Sequence, residues 1–190
     1  MIRDLILQNR TCRRFYQEVP IELEILRELV DLARLSACGR NRQPLKYILS
    51  CEPQKNALIF PCVGWAIYNG KRDPGPPEGE RPSAYIVILL DTEISQSVLC
   101  DQGIAAQSIF LGAREKGLGG TMHGTVKRKE LSKALGIPPR YEILLVLSLG
   151  KPKQQVVLDT VGPDGDSHYW RDSDGVHHVP KRSLDDIIIG

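Results

Sequence analysis

The chain has 190 residues, of which 42% are apolar and 25% are charged. These values are ordinary for a water-soluble globular protein, and the length favours a single domain over residues 1–190. Lys and Arg number 25 against 23 Asp and Glu, so the net charge of +2 gives no general attraction to a polyanion. We therefore expect no nucleic-acid partner.

The cysteine content argues against a disulfide framework and against a zinc site, because the number is odd and no C-x-x-C pair occurs. The five cysteines are Cys12, Cys38, Cys51, Cys62 and Cys100. No apolar run reaches bilayer length, and Arg3 and Asp4 stand where a signal peptide needs an unbroken apolar segment. The sequence thus predicts a cytoplasmic protein with no metal centre and no membrane contact.

The first predicted element is an amphipathic helix that opens at Pro20. Its apolar residues Leu26, Leu29, Val30 and Ala33 follow the i, i+3, i+4, i+7 spacing of one helical face. This face is expected to pack on the core.

Two strands and a long connection follow this helix. Residues 45–51 read as a strand, and residues 84–90 form an almost continuous apolar run that is typical of a strand covered on both faces. Between them, residues 53–82 hold six of the thirteen prolines and four glycines. This composition predicts a loop or lid that contains no regular helix or central strand.

The second half of the chain returns to regular structure. Residues 101–116 are apolar around most of a helical circumference and stop at Gly117, which predicts a central helix or one in a subunit interface. A short polar helix over residues 127–135 ends at Gly136, and residues 143–149 read as a buried strand. The elements together predict an α+β protein with a sheet covered on both sides.

The last forty residues differ in character from the rest. Residues 151–190 are polar and rich in turn signals, yet they end in an apolar triplet at 187–189. This ending indicates an ordered arm that docks on its own domain or on a partner subunit. We favour the partner, because the helix at 101–116 has more apolar surface than one small sheet requires.

A basic cluster precedes the first long helix. Arg10, Arg13 and Arg14 place three guanidinium groups within five positions, and Thr11 adds a hydroxyl. A guanidinium binds phosphate oxygens bidentately, so the cluster suits one bound phosphate. The alternative is a solvated basic turn.

The glycine-rich segment 117–124 matches neither of two common phosphate motifs. Met122 stands where a dinucleotide fingerprint needs its third glycine, and Thr125 and Val126 replace the Lys and Ser/Thr of a P-loop. These departures argue against a nucleoside triphosphate. The segment is interpreted as a turn whose backbone N–H groups approach a flat ligand, or as a plain connection.

Four blocks in order along the chain resemble those of the nitroreductase family of flavin mononucleotide (FMN) enzymes. They are the segments at 10–13, 36–44, 117–124 and 179–182. The resemblance assigns FMN contacts to Arg10, Thr11, Cys12, Arg13, Cys38, Gly39, Asn41, Gln43, Thr121, Met122, His123, Gly124, Lys181 and Arg182. Among the departures, Thr11 replaces the usual Ser and keeps its hydroxyl, Leu45 replaces a Trp, and His123 stands where some relatives carry Glu.

The resemblance implies a fold, an assembly and a reaction. The fold is a central, mostly antiparallel sheet flanked by helices, with the C-terminal arm extending onto the partner subunit of a homodimer that holds FMN at its interface. The reaction takes hydride from NAD(P)H and passes it to a nitroaromatic, a quinone or a similar small acceptor in a ping-pong cycle. FMN carries that chemistry, so no catalytic side chain is predicted.

Two other classes of function stay open from the sequence. One is a flavin-binding sensor or carrier without turnover, and the other is an anion-binding interaction domain without flavin.

Positive charge from Arg10, Arg13, Lys181 and Arg182 suits a flavin phosphate. Donors from Asn41, Gln43 and residues 121–124 suit the pyrimidine edge of the ring.

The sequence assigns the remaining aromatic and histidine residues to functional roles less specifically. Trp65 and Tyr68 cover the flavin or substrate, or they anchor the loop. His177 and His178 point to opposite faces of an extended segment, which favours a structural role over metal binding. The neighbouring pair at 169–170 is expected to fix the terminal arm.

Overall fold

A computed structural model describes residues 1–65, 67–68 and 71–190, and of these it describes 67–68 and 71–72 by their backbone alone. The chain divides into two compact units, Met1–Pro152 and Lys153–Gly190, and each is described by itself. Every helix in the described ranges is too short or too polar to cross a bilayer.

The first unit contains five α-helices among its described residues. In chain order they are α1 (Ile2–Gln8), α2 (Leu23–Leu35), α3 (Pro53–Ile59), α4 (Asp101–Glu115) and α5 (Arg128–Leu135). Single turns of 3-10 helix lie at Gly39–Asn41 and Phe60–Cys62.

The strands are also numbered along the chain. Those of the first unit are β1 (Phe15–Tyr16), β2 (Leu45–Ser50), β3 (Ile67–Tyr68), β4 (Lys71–Arg72), β5 (Ala84–Asp91), β6 (Gly119–His123) and β7 (Tyr141–Pro152). The second unit contributes β8 (Val156–Thr160), β9 (Trp170–Arg171) and β10 (His177–Lys181).

The central sheet of the first unit is antiparallel throughout its described pairings. The strand order is β1-β7-β5-β2, and β6 pairs with β7 on the same side as β1. Strand β2 therefore forms one edge of the sheet and β6 lies at the opposite edge. Both central strands, β5 and β7, separate these two edges.

Helices cover both faces of this sheet, as the apolar run at 84–90 predicts. All eight residues of β5 are buried. Ile86 and Ile88 join the core beneath α2 and α4, whereas Tyr85 and Val87 join a second core beneath α3 and α5. The predicted sandwiched sheet and the α+β class are confirmed.

The predicted helix boundaries hold where glycine sets them. Helix α4 stops just before Gly117, whose φ of 71° lies in the left-handed region, and α5 ends at Gly136 with φ 62°. Both conformations favour a residue without Cβ. Helix α2 starts at Leu23, three residues after Pro20, and buries Leu26 as expected.

Two sequence interpretations are wrong at the level of secondary structure. The segment 53–82 was expected to exclude regular helix, but it begins with α3, because Pro53 stands in the first turn where a missing N–H costs nothing. The segment 117–124 was interpreted as a turn, but residues 119–123 form strand β6. Tyr68, the proposed cover, lies outside the residues described with side chains.

The second unit, predicted as a polar arm, carries a sheet of its own. Strand β10 lies between β8, with which it is parallel, and β9, with which it is antiparallel. The apolar residues 187–189 that end the chain are exposed within this single chain.

Close packing at Gly120 fixes β6 on the sheet. A Cβ at this position would collide with the backbone oxygen of Ser148 and lie 2.6 Å from Cε1 of Phe110. The carbonyl belongs to the neighbouring strand β7 and cannot move aside as a side chain could. Only glycine fits here without displacing β6.

We predict that Gly120→Ala lowers the free energy of unfolding by about 1–3 kcal/mol, the usual cost of overfilling a packed site. Equilibrium urea denaturation measures this loss. Gly124→Ala is the matched control, because no atom lies within 4 Å of a Cβ at Gly124. Equal stability of the two variants would contradict the packing argument.

Candidate functional site

The structure joins two of the four blocks, although more than one hundred positions separate them in the sequence. Thr11 forms a parallel bridge with Gly120, and the backbone N–H of Cys12 donates to the Gly120 oxygen at 2.9 Å. The Thr121 hydroxyl donates in turn to the Cys12 carbonyl. One isolated bridge and two hydrogen bonds therefore join the N-terminal basic segment to β6.

The three arginines of the basic cluster have different environments. Arg14 is engaged by Glu80, with Nη1 2.6 Å from Oε2, so it does not serve the predicted clamp. Arg10 donates from Nη2 to the Ile6 carbonyl at 2.8 Å. Its Nε is buried and has no hydrogen-bond partner within the described residues. Burial also lowers the pKa of the Arg10 guanidinium.

A buried cationic N–H without a partner is costly, so the Arg10 Nε suits an external anion. Thr11 is exposed beside it in the chain, and Arg13 is half-buried. The Cys12 side chain is buried, and its thiol donates to the Arg14 carbonyl at 3.2 Å. The Cys12 thiol and backbone N–H are therefore both engaged within the protein.

Strand β6 alternates between the core and the outside. Thr121 and His123 are buried, whereas Met122 is 44% exposed. Past the end of the strand, Gly124 is exposed as well. The backbone around Met122 and Gly124 is the accessible part of this predicted block.

The His123 side chain is a core group. Its Nδ1 lies 3.0 Å from the carbonyl of Gly64, which can only accept, so Nδ1 carries the proton. Nε2 lies 3.0 Å from the Ser148 hydroxyl, and the ring meets Trp65 edge-on at 4.8 Å. Burial lowers the pKa of His123 to about 4, so the imidazole is neutral at pH 7.

Residues 38–43 of the second block, which spans 36–44, are held by Asp101 at the start of α4. The Gly39 N–H donates to Oδ1 at 3.0 Å, and the Cys38 thiol donates to Oδ2 at 3.1 Å. The Gln43 N–H donates to the Cys38 sulfur at 3.2 Å. Asn41 and Gln43 themselves are exposed.

This loop is strained. Arg40, Asn41 and Gln43 have φ values of 53°, 53° and 52°, which place non-glycine residues in the left-handed region. Such strain persists only where surrounding contacts enforce it, and it concentrates at functional sites. The bonds to Asp101 provide that enforcement.

Within one chain the two halves of the predicted site are far apart. The loop at 38–43 leads into β2 at one edge of the sheet, whereas Thr11 lies on β6 at the other. Helix α4 runs between them, with Asp101 at its start and Gly117 just past its end. Fifteen helical residues span about 22 Å.

The fourth block belongs to the second unit. Lys181 is the last residue of β10, and both Lys181 and Arg182 are exposed. The Lys181 carbonyl accepts from the Val161 N–H at 2.9 Å, which ties the end of β10 to the chain after β8.

Hydrogen bonds from His178 to two carboxylates hold β10 within the second unit. His178 lies between two carboxylates, with Nδ1 2.7 Å from Asp159 and Nε2 3.2 Å from Asp172, and its ring stacks on Trp170 at 3.9 Å. Asp172 first, and then Asp159, raise the pKa of His178. Across the described residues, no group of three or more His, Cys, Asp or Glu is arranged to hold a metal ion.

Asp101 and Glu80 are the functional side chains that sequence reasoning missed. The sequence marks Asp101 only as the start of a helix, although an acidic residue in the first turn is a known signal for bonds to nearby N–H groups. Glu80 lies in a proline-rich stretch and gives no signal of its pairing with Arg14.

The chain resembles known proteins in both sequence and fold. The profile of the Nitroreductase family matches residues 83–151. A protein of Archaeoglobus fulgidus is 27% identical over 158 residues, covering 79% of this chain and 85% of the relative. That relative carries the provisional name NADH dehydrogenase/NAD(P)H nitroreductase.

Solved structures share the fold at low sequence identity. A nitroreductase family protein of Streptococcus pneumoniae has a TM-score of 0.71 at 13% identity, over 100% of both chains. A provisionally assigned nitroreductase of Exiguobacterium sibiricum, in complex with FMN, has a TM-score of 0.67 at 18% identity, over 81% of this chain and 89% of that one. The Nitroreductase profile covers the central strands of the chain, and the solved structures show that the chain has the fold of nitroreductase family proteins.

Proposed function

We propose that this protein is an FMN-dependent oxidoreductase that takes hydride from NAD(P)H and passes it to a small nitroaromatic or quinone. The observation that carries the proposal is the bridge between Thr11 and Gly120, which joins the basic segment to the glycine-rich strand. Those two segments offer what a flavin nucleotide needs, an anion-binding end and an accessible backbone.

The phosphate end of FMN fits the N-terminal segment. The unpartnered Nε of Arg10 and the exposed Thr11 hydroxyl offer a charged donor and a neutral donor. Arg13 adds a third donor group, and Lys181 and Arg182 would add positive charge from the second unit. Arg14 is left out of this set because Glu80 neutralises it.

The ring end of FMN fits the backbone of residues 121–124. The side chain of His123 faces the core, so the contact there is through main-chain groups, as the resemblance implies. When bound, FMN supplies the hydride chemistry, and the two substrates use one site in turn. The protein binds, orients and polarises, and no side chain is assigned as a nucleophile or a general base.

We further propose that the active unit is a homodimer. The loop with Asn41 and Gln43 lies at the opposite edge of the sheet from Thr11, with β5 and β7 between them. If both halves contact one FMN, the loop must come from a second copy of the chain. The resemblance assigns the arm at 151–190, with its basic pair, to the partner subunit of this dimer.

The first test is a spectrum of the purified protein. We expect flavin absorbance near one FMN per chain, lost on anaerobic addition of NADH or NADPH because the bound ring is reduced. Measured absorbance before and after addition decides the outcome. A yellow protein that resists bleaching would indicate a sensor or carrier, and a colourless one would contradict flavin binding.

The second test compares the contributions of Arg10 and Arg14 to FMN binding. We expect Arg10→Ala to weaken FMN binding by roughly 10- to 100-fold, since a charge-assisted hydrogen bond is lost. Fluorescence titration of the apoprotein with FMN measures the dissociation constant. The control Arg14→Ala removes a guanidinium four positions away that pairs with Glu80, and it should bind FMN as the wild type does. Equal losses in both variants would contradict the assignment.

The third test asks which chain supplies the loop. We expect Arg10→Ala and Gln43→Ala homodimers both to bind FMN weakly. A mixed dimer with one copy of each variant regains one intact site if the loop acts across the interface. Differentially tagged copies allow the mixed dimer to be isolated and its FMN content measured. No recovery in the mixed dimer would place both halves in the same chain.

A further inference from the structure

A cavity of about 430 Å³ lies between the loop at 38–43 and the segment that leads into α4. Its lining includes Arg40 and Arg42 from the loop, and Ser97 and Leu99 from the segment before the helix. Small-molecule sites commonly measure about 300 to 1,000 Å³. The cavity is therefore large enough for a ligand built on a single aromatic ring.

Hydrogen bonds hold the walls of this cavity in place. Asp101 is part of the lining, and its carboxylate accepts from the Gly39 N–H and from the Cys38 thiol. In the segment before α4, the Ser95 hydroxyl donates to the Ser97 carbonyl at 2.8 Å. Both walls are thus fixed before a ligand binds, which reduces the entropic cost of binding.

The guanidinium of Arg42 lies at the wall of the cavity. Its Nη1 is 3.5 Å from the hydroxyl oxygen of Ser95, which also lines the cavity. This contact is long for a hydrogen bond, and a guanidinium carries several further N–H donors. Because Arg42 is exposed, a ligand in the cavity can reach those donors without displacing another part of the protein.

The two arginines of the lining have no acidic partner. Neither Arg40 nor Arg42 forms an ion pair with any residue that the structure describes, whereas Arg34 at the end of α2 lies 2.6 Å from Asp31. Asp101 is the one acid among the described lining residues, and its two oxygens are already engaged by the loop. The two guanidinium groups therefore suit an anion from outside the protein.

Apolar side chains complete the lining. They come from Pro44, Val98, Leu99 and Ile104. Leu99 is 89% exposed, so it offers apolar surface that the chain itself does not cover. An apolar wall with a few charged groups is the usual composition of a site for a small organic ligand. The combination suits an aromatic ring that carries an anionic substituent.

We propose that this cavity binds aromatic carboxylates, and that Arg42 and Arg40 select electron acceptors that carry a carboxylate group. The inference rests on the proposed function, in which the loop at 38–43 contacts FMN. Because the cavity shares that loop, a ligand bound in it adjoins the cofactor. A planar guanidinium can donate to both carboxylate oxygens, while the apolar wall packs against the ring that carries the reducible group. The two arginines thus determine specificity and take no part in the chemistry.

The experiment compares 4-nitrobenzoate with 4-nitrobenzamide, which have nearly the same shape and differ in charge. We expect the wild-type protein to bind 4-nitrobenzoate roughly five- to tenfold more tightly at low ionic strength. This preference should shrink as salt is added, because salt screens exposed charges. Dissociation constants are measured calorimetrically on the oxidised holoprotein without reductant.

Two variants test the arginines directly. We expect Arg42→Gln to reduce the preference for 4-nitrobenzoate by about threefold, and the double variant Arg40→Gln/Arg42→Gln to abolish it. The affinity for 4-nitrobenzamide should stay the same, because the apolar wall is intact. Arg27→Gln is the matched control: it removes one charge from an exposed position on α2, where Arg27 lies 3.5 Å from Glu24 and outside the lining of the cavity. This control should keep the wild-type preference.

Equal binding of the two ligands by the wild type, or a preference that persists in the double variant, would overturn the inference. A preference that does not respond to salt would also contradict it, and this measurement needs no variant to fold. Failure of the proposed function is separate, because it appears as missing flavin absorbance or as resistance to NAD(P)H. A flavin-replete protein that is bleached normally but binds both ligands equally contradicts this inference alone.

Discussion

The approach of Gly120 to the Ser148 carbonyl is the contact on which the candidate site depends. Because no Cβ intervenes, β6 pairs with β7 along its whole length. Gly120 of β6 also forms the isolated bridge with Thr11 and accepts the Cys12 N–H. Without that pairing the basic segment would have no sheet edge to follow, and its arginines would have no fixed position.

The residues of the candidate site lie at two opposite edges of the central sheet. Strand β5 is buried along its whole length between two helical layers, and β7 is buried over residues 146–150. The two predicted segments lie at the edges of the sheet, at β6 and in the loop before β2. Buried side chains act there as supports: His123 braces β6 from the core, and Asp101 holds the strained loop.

Sequence patterns predicted the elements that local physics controls. The apolar run of β5 and the glycines after α4 and α5 carry their own signals, so the fold class followed from them. Strand β6 could not be predicted in this way, because its residues Gly119 and Gly120 lack the alternation of a typical strand and its pairing depends on a distant carbonyl. Arg14 differs from Arg10 because it pairs with Glu80, and this pairing could not be predicted either, since Glu80 is remote in sequence. The family resemblance supplied the candidate residues, and the structure added the bonds from Asp101 to the loop at 38–43.

Helix α4 sets a fixed distance between the loop at 38–43, which Asp101 holds at its start, and the segment at 117–124, which follows its end. One inserted residue would lengthen it by about 1.5 Å and rotate everything beyond it by about 100°. That rotation would turn either the Asp101 carboxylate away from its loop or Gly117 away from β6. The length of this helix is therefore fixed, and surface loops elsewhere are the places where the chain can grow or shrink by single residues.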